Sequence, residues 1–223
     1  MNVAILQFPG TNCELDTKFA FNKLGTKNTI VWHTEKEIPR DTDLIVIAGG
    51  FSYGDYLRSG AIAAKSPIMQ AVIAYANAGG KVLGICNGFQ ILLESGLLPG
   101  AMKRNEQLHF ISRFQHLKVI NNTNDFLSKL QKDDLVNIPL AHAEGNYFVD
   151  AETLESMYDN KQVILKYANA NGELTNVNGS IDNIAGICNL NKNVFGLMPH
   201  PERAVDTTTQ ATDGLKMLEG FLA

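Results

Sequence analysis

Cysteine is scarce in this sequence, three residues in 223, and that scarcity bounds the chemistry first. Three thiols are too few for a disulfide-stapled secreted scaffold. Cys13, Cys86 and Cys188 therefore each need a separate explanation, as core filler or as a reactive group. No apolar run approaches the roughly 18 residues of a membrane-spanning helix. The opening Met1-Asn2-Val3-Ala4-Ile5-Leu6-Gln7-Phe8 lacks both the basic leader and the long apolar stretch of a secretory signal. A cytoplasmic protein with no membrane partner is expected. Basic residues are slightly outnumbered, 19 Lys and Arg against 23 Asp and Glu, for a formal charge of -4. They form no cluster, so nucleic acid is not an expected partner. Internal repeats, low-complexity tracts and linkers are missing, as is a G-x-x-x-x-G-K-[ST] phosphate loop. One domain over residues 1–223 is expected, without a cofactor of its own.

What the sequence does contain is 45% hydrophobic residues, enough for a sizeable core, in an alternating pattern. Residues 3–8 form an apolar run closed by Pro9-Gly10 and read as a buried strand and its turn. Thr11-Asn12-Cys13-Glu14 has the spacing of a helix capping box, and Gly25 is a stop. Residues 29–32, 43–48 and 81–85 read as further strands. Pro67 suits the first position of a helix closed by Gly79-Gly80, and residues 87–95 read as another helix stopped at Gly96. Such alternation predicts an α/β fold with a mostly parallel central sheet flanked by helices. Strands at 116–121, 136–141, 163–168, 184–188 and 194–198, some joined by short turns, predict antiparallel additions at one edge. Leu215, Leu218 and Leu222 have helical spacing.

The strongest chemical signal is Gly84-Ile85-Cys86-Asn87-Gly88-Phe89-Gln90. A strand enters, a helix leaves, and Cys86 stands at the junction with glycines two residues either side, the pattern of a nucleophile elbow with Cys in place of Ser. The helix N-terminus directs partial positive charge at the sulfur, which favours the reactive thiolate. Cys13 also lies near a helix start, but the carboxylates of Glu14 and Asp16 oppose a thiolate there. Cys188 reads as packing.

A cysteine nucleophile needs a histidine base, and that base needs an acceptor to fix its tautomer. Two sites offer His-x-Glu at a strand end, His200-Pro201-Glu202 and His142-Ala143-Glu144. Residues two apart in an extended segment point the same way, and Pro201 pushes His200 away from helix. This favours His200 and leaves His142 as the alternative. The histidines and cysteines show no metal-ligand spacing, and no metal is expected. Acyl chemistry also needs N–H donors for the developing oxyanion. The Asn87 backbone N–H follows the nucleophile, and Gly50 and Phe51, in the loop after residues 43–48, are candidates for the second donor.

These segments resemble class I glutamine amidotransferases, whose glutaminase domains carry a Gly-x-Cys-x-Gly-x-Gln elbow and a late His-x-Glu. The resemblance extends along the chain through Phe8-Pro9-Gly10-Thr11-Asn12-Cys13, Gly49-Gly50-Phe51-Ser52-Tyr53-Gly54-Asp55-Tyr56-Leu57-Arg58-Ser59-Gly60 and Met198-Pro199-His200-Pro201-Glu202-Arg203. The second of these is far more specific than the elbow. Ala48 and Ala143 depart from the family pattern, where proline and glycine are usual. The resemblance implies a flavodoxin-like domain in which Cys86 is nucleophile, His200 base and Glu202 its orienter. Gln90 and the Gly50–Phe51 loop would hold L-glutamine. It further implies a purine-biosynthetic role with a separate large synthetase subunit and a small bridging subunit, ATP and Mg being bound by the synthetase. From the elbow and histidine alone, a free-standing cysteine hydrolase or peptidase and a non-catalytic binding module stay open.

Overall fold

The structure, a computed structural model, describes residues 1–209 and 211–222. Strands β1 (Asn2–Gln7), β2 (Lys27–Trp32), β3 (Leu44–Ile47), β4 (Lys81–Ile85), β5 (Ala101–Lys103), β6 (Ile111–Val119), β7 (Leu135–His142), β8 (Asn146–Phe148), β9 (Val163–Ala168), β10 (Ile184–Cys188) and β11 (Val194–Leu197) accompany helices α1 (Glu14–Lys23), α2 (Pro67–Asn77), α3 (Asn87–Glu94), α4 (Ala151–Asp159) and α5 (Asp213–Glu219). Nine strands form one sheet in the order β2-β1-β3-β4-β11-β10-β9-β6-β7. The first five are mutually parallel. The last four pairings are antiparallel, so the antiparallel extension expected at one edge is four strands wide.

Burial explains the sequence pattern. β3 and β11 are buried along their whole length, as strands covered on both faces must be, and they read as unbroken apolar runs. β7 alternates between buried and partly buried positions, because only one face of the extension meets the core. The order of the parallel strands also places the site. From β1 the chain moves outward to β2 and then returns to β3 on the other side, so β1 and β3 flank a switch point, and the loops at their carboxyl ends open a crevice there.

One expectation needs correction, and two elements were not read from the sequence. Thr11 does not cap α1: the N-cap is Cys13, without a side-chain cap. The Thr11 hydroxyl instead accepts from Phe8 N–H at 2.9 Å, and Glu14 accepts from Gln7 at 2.9 Å. The first bond closes the turn on the end of β1, and the second ties β1 to the first residue of α1. Helix α4 was not expected, although Asp150 caps it by accepting from Thr153 N–H at 2.8 Å. The small β5–β8 sheet also went unread, its two three-residue strands being too short for a periodic signal.

Candidate active site

Cys86 closes β4 and caps α3 with φ 52 and ψ -106, a conformation that costs a non-glycine residue about 1–3 kcal/mol. The surroundings enforce it. A Cβ on Gly84 would fall 2.6 Å from Gly88 O, and one on Gly88 would fall 2.0 Å from Ile47 O. Any larger residue at either position would drive α3 off the sheet and move the sulfur. Cys86 is 5% exposed, and its Sγ lies 3.7 Å from Ala141 O on β7. The first helical N–H groups, beginning at Asn87, have no carbonyl one turn back to bond and point out of the helix end.

His200 follows β11 and is anchored by its N–H to Pro139 O at 2.9 Å. Its Nδ1 lies 2.6 Å from Glu202 Oε1, and both side chains are 1% exposed. A carboxylate at Nδ1 places the proton there and leaves Nε2 as the free lone pair. Nε2 is buried and unpartnered among the described residues. Burial alone would push the imidazole down, but the Glu202 carboxylate and then the Cys86 sulfur outweigh it and hold His200 well above its ordinary range. The pair is therefore poised to carry positive charge on His200.

Cys13 belongs to the same cavity, a placement the sequence reading missed. A Cβ on Gly49 would fall 3.0 Å from His200 Cε1, 3.1 Å from Cys13 Sγ and 3.4 Å from Cys86 Cβ, so three side chains converge over one glycine. Cys13 Sγ lies 3.0 Å from Asn12 Oδ1 and accepts from Arg203 Nη2 at 3.1 Å. Burial, and then the Glu202 carboxylate rather than Glu14 or Asp16, push the Cys13 thiol up. Asp16 is instead turned to Arg203 Nε at 3.0 Å. Arg203, Asn12, Phe110 and Ala141 complete the lining with Gly50 and Phe51. The signal for Cys13 was its position at the end of the Phe8–Cys13 motif, which the fold folds back over β3.

Cys13, His200 and Glu202 bring donor atoms within 4.8 Å of one another, a compactness the sequence spacing did not suggest. Among the described residues it is the one such group. It is poorly suited to a cation, because Nδ1 and Oε1 are committed to each other and the Arg203 guanidinium sits on the thiol.

The remaining candidates divide. Gly50 has φ 147, and a Cβ there would fall 2.7 Å from Asn12 N, so only glycine fits. The Phe51 N–H donates to Gly10 O at 2.9 Å, which leaves the Gly50 N–H as the available second donor to an oxyanion. Asn87 Nδ2 donates to Gln90 Oε1 at 2.8 Å, and Gln90 Nε2 donates to Glu144 O at 2.7 Å. Asn87 Oδ1 accepts from Ser52 N–H at 3.1 Å. Asn87 thus ties the elbow helix to the loop at 52, and Gln90 ties it to the loop at 144.

His142 is buried and lies near His200 without joining the His200–Glu202 pair. Burial, and then repulsion from His200, lower it from 6.5 to about 4. Below pH 6.5 the unfolded chain binds a proton that the native fold refuses, so this stability is present above 6.5 and lost as pH falls towards 4. Linkage gives a loss of about 3 kcal/mol. Chemical denaturation of wild type and His142→Asn at neutral and mildly acidic pH should show a smaller pH dependence in the variant. An identical dependence would mean that His142 titrates normally in the fold.

Comparison with known proteins gives the family. Residues 1–217 match the CobB/CobQ-like glutamine amidotransferase domain, and the chain belongs to the glutamine amidotransferase family. It is 65% identical to phosphoribosylformylglycinamidine synthase subunit PurQ of Sulfurimonas denitrificans, over 100% of this chain and 99% of that one. Identity to the subunit of the same name in Wolinella succinogenes is 61%, over 99% of each chain. Among solved structures it is similar to a chain of PurLQS from Thermotoga maritima, with a TM-score of 0.88 and 39% identity over 99% of this chain and 97% of that one.

Proposed function

We propose that this chain is the glutaminase subunit of phosphoribosylformylglycinamidine synthase, hydrolysing L-glutamine and passing ammonia to a synthetase that amidates formylglycinamide ribonucleotide in purine biosynthesis. The observation that carries the chemistry is a strained Cys86 at a helix N-terminus, sharing one cavity with a His200 whose Nδ1 is held by buried Glu202. The near full-length likeness to PurQ subunits and to a PurLQS chain carries the particular assignment.

Cys86 thiolate attacks the carboxamide carbon of glutamine. The Asn87 and Gly50 N–H groups receive the oxyanion, and protonated His200 gives its Nε2 proton to the leaving ammonia. Water, deprotonated by His200 Nε2, then hydrolyses the thioester to glutamate and returns the cysteine. Gln90 and Asn87 hold the loop carrying Phe51 at the substrate. ATP and Mg belong to the large synthetase subunit, a small subunit bridges the two, and the assembly is cytoplasmic. Among the described residues no helix is long and apolar enough to cross a membrane.

A non-catalytic module gives no reason for a strained backbone at a packed thiol. A free-standing hydrolase would need no partner. The deciding experiment mixes this chain with the synthetase and bridging subunits and follows amidation with glutamine or ammonium as donor. Glutamine should serve only when this chain is present, and ammonium should serve without it. Glutamine-supported amidation without this chain would overturn the assignment.

A further inference from the structure

The reaction just described gives no task to His142, although the fold invests heavily in it. The ring ends β7 at 3% exposure, and its Nε2 is buried without a partner among the described residues. Asn105, fully buried, holds the other edge. Its Oδ1 lies 3.1 Å from His142 Nδ1 and accepts from Gly145 N–H at 2.9 Å. Its Nδ2 donates to His142 O at 2.9 Å and to His109 O at 3.0 Å. Two carbonyls on Nδ2 and a backbone N–H on Oδ1 forbid the flipped amide. Nδ1 must then carry the imidazole proton, and Nε2 the lone pair. Gly145 lies against the ring, where a Cβ would fall 2.4 Å from Cε1. The Gly145 carbonyl is in turn held by Asn178 at 2.7 Å and Ser180 at 3.0 Å. Ring position and tautomer are both fixed.

The strand that His142 terminates is also the back wall of the active site. Pro139 O holds His200 N–H, and Ala141 O meets Cys86 Sγ. We propose that the Asn105–His142 pair is a positioning element for the catalytic base, pinning the end of β7 against Cys86 and His200 and keeping a neutral imidazole beside His200. Of the two imidazoles, His200 alone then carries positive charge. The titratable groups around His142 are His200 after β11, Cys86 at the head of α3, Tyr167 on β9 behind Asn178, and Glu144 two residues along the chain. Asn105, Asn178 and Ser180 carry no charge. Burial and the proximity of His200 both disfavour a second imidazolium.

This inference rests on the glutaminase reading, and its test separates the two. Histidine-labelled wild-type chain, followed by ¹⁵N NMR over about pH 5.5 to 8, should show His142 as the neutral Nδ1–H tautomer throughout. Glutamine hydrolysis by the assembled complex is then measured against pH for His142→Leu, His142→Asn, Asn105→Asp and the double variant Asn105→Asp/His142→Asn. Asparagine can place an amide N–H where Nδ1 stood, and leucine cannot. His142→Leu should lose kcat about tenfold or more, the lower end of the range for outer partners of metal-ligating histidines, and His142→Asn should recover most of it. A carboxylate at 105 favours protonated His142, so Asn105→Asp should add an acidic limb to the kcat profile that the double variant lacks.

An Nε2–H tautomer in wild type, or a charged His142 near neutrality, would overturn the proposal without reference to any variant. So would a folded Asn105→Asp with the wild-type profile, or His142→Leu at wild-type kcat. A wild-type complex that produces no glutamate would instead overturn the glutaminase reading, and the catalytic half of the proposal with it.

Discussion

Alanine at His200 is expected to remove glutamine hydrolysis almost entirely, by about 10⁶-fold in kcat, the loss seen when a triad base acts as one unit with its nucleophile. The expectation follows from the single placement of His200. Its Nδ1 is engaged by Glu202, so Nε2 is the one nitrogen available both to accept a proton from water and to donate one to ammonia. Glu202→Gln should be milder, about 10⁴-fold, because it disturbs tautomer and charge but leaves the ring in place. His142→Ala should keep a measurable fraction, since its ring lies outside the Cys86–His200–Glu202 line. Glutamate release by each purified variant, with folding checked by thermal unfolding, decides the order. A dead His142→Ala beside an active His200→Ala would reassign the base to the other His-x-Glu.

The second large effect is activation on assembly. The isolated chain is expected to hydrolyse glutamine about 10²–10³-fold more slowly than the assembled synthetase, the range for one oxyanion donor. The loop after β3 supplies the reason. Its base is fastened to the turn after β1, through Phe51 N–H to Gly10 O and Tyr53 N–H to Pro9 O at 2.6 Å. Its tip is strained, with Tyr53, Asp55 and Leu57 all at positive φ. Tyr56 and Leu57 are 75% and 90% exposed, apolar surface that a docking subunit can cover. Pressure on that tip would move the Gly50–Phe51 peptides relative to Cys86. Turnover by the chain alone is compared with turnover after addition of synthetase, bridging subunit and nucleotides. Equal rates would mean that the oxyanion hole is complete in the free chain, and would favour a free-standing hydrolase.

The parts of the molecule that were legible in the sequence are those whose signals are local. Buried parallel strands write themselves as apolar runs, and the elbow announces itself because Gly84 and Gly88 must stand within contact of backbone. The His200–Glu202 pair was legible as His-x-Glu at a strand end, but the extended segment expected there is instead a 3-10 turn over Pro201–Arg203, and it is this turn that brings Glu202 back to His200 Nδ1. Cys13 was not legible, since its neighbours in sequence are acidic and its neighbours in space are His200, Arg203 and Gly49. The clamp on His142 was equally hidden: Asn105 and His142 lie 37 residues apart and meet only through the fold. The bonds of Gln90 to Asn87 and to Glu144 O were not legible either, because they depend on a loop whose path no periodicity records.

Because Cys13 and Cys86 line one cavity, covalent labelling tests the account most directly. The chain is treated with a glutamine-mimicking electrophile at neutral pH, with and without excess glutamine, and the modified peptide is identified by mass spectrometry. Label on Cys86 that glutamine suppresses, with Cys13 and Cys188 unmodified, is the predicted result. Label confined to Cys13, or label on Cys86 that glutamine does not reduce, would contradict the assignment of Cys86 as the glutaminase nucleophile.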